Sequence, residues 1–215
     1  MKYKHIIWDW NGTLIDDRLF CIKIMNEVLK KRDMEAMTEE WFLDNFCFPV
    51  KDYYIKLGFN FEKESFDISG TEFINMYMAR CHELQLHQGA RDVLDYFKNL
   101  GLAQSLVSAS SQIMLDQILS NYDINDYFVR ILGTDNHYAY GKETLTKEWM
   151  KDLGFHPKEV LFIGDTIHDK DIADVVGSDC ILVSKGHVSN ERLQKTGASV
   201  FEELIKIIDW LDGGN

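Results

Sequence analysis

The chain has 215 residues, 46% of them apolar, and 35 acidic against 23 basic side chains give a net charge of −12. This length suits one domain, or one domain with a sizeable insertion, and the composition is globular rather than disordered. The negative field excludes nucleic acid and anionic membranes as general partners, so any phosphate site must build local positive potential from a metal, a lysine or backbone amides.

In chain order, His5-Ile6-Ile7-Trp8 is a short apolar run that stops at Asp9 and meets Asn11-Gly12, which predicts a buried strand feeding a tight turn. The run is too short, and too soon broken by Asp9, for a leader, and no later stretch approaches the ~20 apolar residues of a membrane span. From Asp16 to Leu86 the pattern is helical, as in Ile22-Met25-Val28-Leu29 and Phe73-Ile74-Tyr77-Met78, with no buried strand. Val93, Leu94, Phe97 and Leu100 predict one helix face, and Ile113, Leu115, Ile118 and Leu119 another. Trp149, Met150 and Leu153 predict a third helix, stopped by Gly154. Between these helices stand apolar runs at Leu102–Val107, Phe128–Leu132, Val160–Ile163 and Cys180–Val183. Strands alternating with helices predict an α/β fold with a Rossmann-like, doubly wound parallel sheet, and the helical stretch is an insertion after its first strand. The expected division is a core of residues 1–15 and 87–215 with an all-helical cap of residues 16–86, placed over the carboxyl end of the first strand.

Cys21, Cys47, Cys81 and Cys180 are widely spaced with no CxxC pair, which reads as four reduced, mostly buried thiols, and with no leader or membrane span expected the cytoplasm follows by default. The polar residues that matter stand at strand ends and helix starts. Asp9-Trp10-Asn11-Gly12-Thr13 follows the first strand, Ser108 the second, Gly141-Lys142 opens a helix, and Gly164-Asp165-Thr166-Ile167-His168-Asp169 follows a later strand.

Taken in order, these elements resemble the four motifs of the haloacid dehalogenase superfamily, and the small helical (C1-type) cap resembles that of its phosphoglycolate phosphatase relatives. The resemblance implies a phosphatase that forms an aspartyl-phosphate on Asp9. It implies Mg²⁺ held by Asp9, the backbone carbonyl of Asn11, Asp165 and Asp169, with Ser108 binding a phosphoryl oxygen and Lys142 supplying positive charge. Lys147 is the alternative for the motif lysine. The implied partner is a small phosphorylated metabolite, and the chain is expected to be a monomer or a cap-mediated homodimer. Arg18, Lys51 and Arg80 are candidates to read a second anionic group on the substrate, while His168 and Asp171 read as surface residues.

One residue departs from the pattern. The family's phosphatases place an aspartate two residues after the nucleophile, where it moves protons to and from the leaving group; here that residue is Asn11. An amide neither delivers nor accepts that proton, so the expectation is slow turnover or a preference for good leaving groups such as acyl or enol phosphates. A phospho-ligand-binding protein of the same fold is the alternative, with dehalogenase and phosphonatase chemistry less favoured.

Overall fold

The four residues His5–Trp8 (β1) are all buried and alternate between two cores, so this short strand is covered on both faces. In the computed structural model, which describes residues 2–135 and 141–213, β1 is the centre of a six-stranded parallel sheet. The chain continues through Ile15–Asp16 (β2) and four helices, Arg18–Lys30 (α1), Glu39–Asn45 (α2), Val50–Leu57 (α3) and Phe66–Arg80 (α4), to Gln85–Leu86 (β3). Ala90–Asn99 (α5), Ala103–Ser111 (β4), Gln112–Leu119 (α6) and Arg130–Thr134 (β5) build one wing of the sheet. Lys142–Leu153 (α7), Val160–Gly164 (β6), Ile167–Val176 (α8), Asp179–Val183 (β7), Asn190–Gln194 (α9), Ser199–Phe201 (β8) and Lys206–Gly213 (α10) build the other.

The strand order is β5-β4-β1-β6-β7-β8. The chain first winds outward from β1 to β4 and β5, then crosses back to β6, so the reversal falls at β1, where open α/β sheets place their ligand crevice. Register fixes the crevice floor: Trp8 pairs with Leu106 on one side and Ile163 on the other, and the Asp9 amide donates to the Ile163 carbonyl at 2.9 Å. Asp9 therefore leaves the sheet level with the end of β6 and with Val107, where the regular register of β4 stops. On one face Ile6, Trp8, Leu106, Leu161 and Ile163 pack with Val93, Leu94 and Phe97 of α5. On the other, Ile7, Val107, Val160 and Phe162 meet Met150 of α7 and Ile172 and Ala173 of α8.

The helices between β2 and β3 carry a separate apolar cluster, with Met25, Leu29, Phe42, Tyr53, Tyr54 and Phe66 at its centre. The antiparallel β2–β3 pair brings the two ends of this segment together, Ile15 opposite Leu86. Polar contacts tie it to the sheet unit, among them Arg192 of α9, which donates to the carbonyls of Leu43 (2.8 Å) and Phe46 (3.0 Å), and the Ser189 amide, which donates to Leu43 O at 3.1 Å.

The α/β class and the four better strands stand where the sequence predicts them, and the weaker run at Phe128–Leu132 is β5. Ile113 lies on α6 as expected, whereas Leu100, expected on the helix face of Val93, Leu94 and Phe97, does not lie on α5, and neither side chain is buried. Leu100 falls beyond the last residue of α5 and is 41% exposed, and Ile113, in the first turn of α6, is 81% exposed. The four cysteines are unpaired, but only Cys81 is fully buried. No helix among the described residues is long and apolar enough to cross a membrane.

Candidate active site

Three buried carboxylates meet at the end of β1. Oxygens of Asp9, Asp165 and Asp169 lie within 4.8 Å of one another. Asp9 is placed by β1; Asp165 by the end of β6; Asp169 by the first turn of α8. Helix α8 starts with a reciprocal cap in which Thr166 Oγ1 accepts from the Asp169 amide (3.3 Å) and Asp169 Oδ2 accepts from the Thr166 amide (3.0 Å). Asp169 Oδ2 also accepts from Thr166 Oγ1 at 2.7 Å and from the Asp165 amide at 3.2 Å. Its other oxygen, Oδ1, accepts from Lys142 Nζ at 2.6 Å. Lys142, the first residue of α7, donates to Asp9 Oδ1 as well and is only 3% exposed. The Thr13 hydroxyl lies 3.2 Å from Asp9 Oδ2 and 3.1 Å from Asp165 Oδ1, one proton serving two carboxylates.

Charge balance sets the electrostatics. Burial, reinforced by Asp169 and Asp165, pushes the Asp9 carboxyl up to about 8 against the pull of Lys142. Asp169 goes the other way: burial raises it, but the Lys142 ammonium and the Thr166 donors outweigh that and hold it below the usual carboxylate range. Burial lowers Lys142, yet its two carboxylate partners win and keep it protonated. One ammonium does not neutralise three buried carboxylates. An all-oxygen donor set with surplus negative charge suits a hard divalent cation, so the residues fit such an ion on the chemistry of their donors.

A second buried network adjoins the first and was not evident from the sequence. His187, just after β7, donates from its backbone amide to Asp165 Oδ2 at 2.7 Å and places Nε2 2.9 Å from Asp17 Oδ1. Burial disfavours the imidazolium, but Asp17 and Asp165 together hold its titration well above the ordinary imidazole range. Asp17 Oδ2 in turn accepts from Asn11 Nδ2 (2.7 Å) and Tyr77 OH (2.9 Å), and Oδ1 accepts from the Gly12 amide (3.0 Å). The Asn11 carbonyl oxygen accepts from Ser110 Oγ at 2.9 Å. Asn11 is therefore fixed on both sides of its amide. Gly12 has φ +74°, and a Cβ there would stand 2.3 Å from Asp165 Oδ2, so both its backbone conformation and its neighbours demand glycine. At Gly186 a Cβ would meet the same oxygen at 2.1 Å.

The expected residues divide as follows. Asp9, Lys142, Asp165 and Asp169 converge. Asn11 faces Asp17 and Ser110 beside them. Ser108 is buried after the straight part of β4 and accepts from the Ser110 amide at 3.1 Å; the neighbouring residues Ala109 and Ser110 line the crevice. Lys147 is exposed and paired with Glu143, away from the carboxylates. Arg18 pairs with Glu39 (3.1 Å), Arg80 with Glu27 (3.0 Å) and Glu83 (3.3 Å), and Lys51 lies over Phe61, so none of the three reaches the carboxylates. Asp171 is exposed, but His168 is half-buried against Phe48, ring centroids 4.8 Å apart, rather than a free surface side chain.

The profile of the family described as haloacid dehalogenase-like hydrolase matches residues 6–183, and the chain belongs to that family. Among curated proteins it is similar to a phosphoglycolate phosphatase from Yersinia pestis, 24% identical over 208 residues, which cover 90% of this chain and 87% of that protein. It is also similar to one from Pseudomonas savastanoi pv. phaseolicola, 23% identical over 142 residues, 65% of this chain and 52% of that one. Against several Pseudomonas relatives the chain spans about half of their length. Of solved structures, a predicted phosphatase from Clostridium acetobutylicum superposes with a TM-score of 0.83 at 20% identity, covering 98% of this chain and 99% of that one. A haloacid dehalogenase-like hydrolase from Streptococcus pneumoniae gives 0.80 at 15% identity, with the same coverage. At these identities the structural likeness shows the fold.

Proposed function

We propose that the chain is a Mg²⁺-dependent phosphatase, phosphoglycolate phosphatase-like in architecture, that hydrolyses a small phosphorylated metabolite through an aspartyl-phosphate on Asp9. The observation that carries this reading is the buried Lys142 ammonium bonded at once to Asp9 and Asp169 beside Asp165. A solvated lysine or a helix cap would require neither the burial nor the shared partners. Asp9, the Asn11 backbone carbonyl, Asp165 and Asp169 would hold the ion, which when bound offsets repulsion between two anionic reactants. Asp9 stands on a rigid strand end and attacks phosphorus. Lys142 keeps positive charge beside the transferring phosphoryl group, and Ser108, just after the regular part of β4, binds a phosphoryl oxygen. Residues 16–86 act as the lid over a core formed by 1–15 and 87–215, excluding water while the phosphoenzyme forms. Asn11 carries no transferable proton, which restricts efficient turnover to substrates whose leaving group departs as an anion.

The test is release of inorganic phosphate from acetyl phosphate, p-nitrophenyl phosphate and phosphoglycolate, with Mg²⁺ and with chelator. The expected result is Mg²⁺-dependent release that falls at least about a thousandfold in Asp9→Ala. Binding of the phosphorylated compounds without release by the native chain would replace this reading with that of a phospho-ligand-binding protein.

A further inference from the structure

The crevice over the carboxylates opens into a cavity of about 160 Å³ between the helical segment and the strand ends. One end is polar, formed by Asp9, Asn11, Lys142 and Asp165. Away from it the wall is apolar and largely aromatic, with Met25, Phe42, Phe46, Tyr53, Phe66 and Phe73 among its residues. Among the described residues Lys142 is the only lysine or arginine that lines it, and its ammonium already serves Asp9 and Asp169. The ring nitrogens of His187 face Asp17 and Asp165. Arg18, which pairs with Glu39 and donates to the Gly186 carbonyl, the exposed Lys51, and Arg80, paired with Glu27, are not among the residues that line it. A substrate carboxylate here would lose its water without meeting a cation.

Gly70 adds a separate observation. It lies inside α4, lines the cavity, and has no left-handed φ. The nearest atoms to a Cβ there are those of the Phe66 ring, at an ordinary 3.6 Å. Neither backbone nor crowding requires glycine, which weakens a helix; what its missing side chain leaves is room on the apolar wall.

We infer that the leaving group this site accepts is an uncharged apolar group of about one aromatic ring, making the preferred substrate an aryl phosphate and not a second anion such as phosphoglycolate. The inference rests on the phosphatase reading and narrows it. An apolar protein cavity of about 150 Å³ is known to admit benzene, and the 160 Å³ here spans the polar end and the apolar wall together, so the wall has room for one ring and no more. The leaving-group chemistry agrees with Asn11, because a phenol, with a pKa near 10, departs as the phenoxide without a proton donor beside it. Asp9 forms its O–P bond as the aryl O–P bond breaks, and the electron pair leaves on phenoxide, which takes a proton from water. A water then opens the aspartyl-phosphate, returning the Asp9 carboxylate and releasing phosphate. The net change is aryl phosphate plus one water to phenol plus inorganic phosphate.

Titration calorimetry with Mg²⁺ on Asp9→Asn, which lacks the attacking carboxylate but keeps an oxygen toward the ion and Lys142, separates this inference from the reading beneath it. Phenyl phosphate is expected to bind at least about tenfold more tightly than either phosphoglycolate or inorganic phosphate, the discrimination an apolar pocket supplies. With the native chain, kcat/KM should favour phenyl phosphate over phosphoglycolate by a similar factor. Gly70→Leu should lower the ratio of kcat/KM for phenyl phosphate to that for acetyl phosphate at least about tenfold by filling the wall. Phosphoglycolate binding as tightly as phenyl phosphate, or no binding of phenyl phosphate, overturns the inference even if acetyl phosphate is hydrolysed. Aryl-selective binding with no turnover of any substrate by the native chain upholds the inference about the pocket and defeats the phosphatase reading alone.

Discussion

Asn11 is held by its surroundings as an amide. Its Nδ2 donates to Asp17 Oδ2 at 2.7 Å, and Asp17 is itself held ionised: burial works against that, but His187, Asn11 and Tyr77 outweigh it. Asn11→Asp therefore sets two carboxylates in contact where there was a hydrogen bond, and is expected to destabilise the fold by about 2–3 kcal/mol. Exchanging the pair, Asn11→Asp with Asp17→Asn, restores a donor and an acceptor. Urea denaturation of the two single variants and the double variant at pH 7 should show the double recovering at least about 1 kcal/mol over the sum of the singles. The same double variant, more than Asn11→Asp alone, should gain activity on alkyl phosphates, by about tenfold or more, because only there is the new carboxyl free of a charged neighbour. Strict additivity in the denaturation data would mean that Asp17 does not govern this position. The sequence showed Asn11 as a departure, but Asp17, six residues on, belongs to none of the motifs and carries no mark of its own. Its role depends on Tyr77 and His187, which lie 60 and 170 positions away. His187 left a faint trace, since Val183 is followed by Ser-Lys-Gly-His in the same strand-then-glycine pattern that marked the other site residues.

The elements differ in how much of the site they carry. Helix α8 presents Asp169 through its own capping box, so one substitution tests stability and site together. Thr166→Ala should cost about 1–2 kcal/mol in unfolding free energy and, by releasing Asp169 Oδ2 from a 2.7 Å donor, raise the Mg²⁺ concentration for half-maximal phosphate release roughly tenfold. Thr38→Ala, which removes the comparable cap of α2 (Thr38 Oγ1 accepting from the Trp41 amide at 3.1 Å), should cost similar stability and leave the Mg²⁺ titration where it was. Equal Mg²⁺ curves for the two variants would show that the cap of α8 serves the helix alone. Elements of four residues or more with an apolar run were legible because burial on both faces leaves no alternation to disguise them. The two-residue strands β2 and β3 were not, since their pairing joins residues about 70 positions apart and neither has a local signature. Strand β8 has only Val200 and Phe201 to announce it. Strand β4 runs to Ser111, past the expected end at Ser108, because an irregular register between Val107 and Ser111 lets Ser111 pair with Thr134.

Across the whole molecule, folding buries histidines in two opposed states, and the pH dependence of stability should resolve them. His187 is held as the imidazolium, so its contribution is complete below the ordinary imidazole range and fades only as pH rises through its raised folded value. His5 is the reverse case. It sits fully buried in β1, between the Trp149 and Phe155 rings, with Nε2 2.8 Å from Ser105 Oγ and Nδ1 without a hydrogen-bond partner. Burial lowers its titration from 6.5 to about 4. Between those values the unfolded chain binds a proton that the folded chain refuses, so stability is complete above about 6.5 and falls as the pH drops toward 4. The size of this loss is about 3 kcal/mol. Carboxylates such as Asp17 and Asp169, whose folded values are lowered, lose stability in acid as well, so the native curve alone does not isolate the histidine. His5→Leu does: it keeps an apolar group of similar size at the centre of the sheet and leaves Trp149 Nε1 its 2.9 Å bond to Ser105 Oγ. Unfolding free energies of the native chain and His5→Leu, measured in urea from pH 7.5 to 4.5, should converge or cross as the pH falls, with the variant losing less. Curves that stay parallel across that range would show that His5 is protonated as readily in the folded sheet as in the unfolded chain.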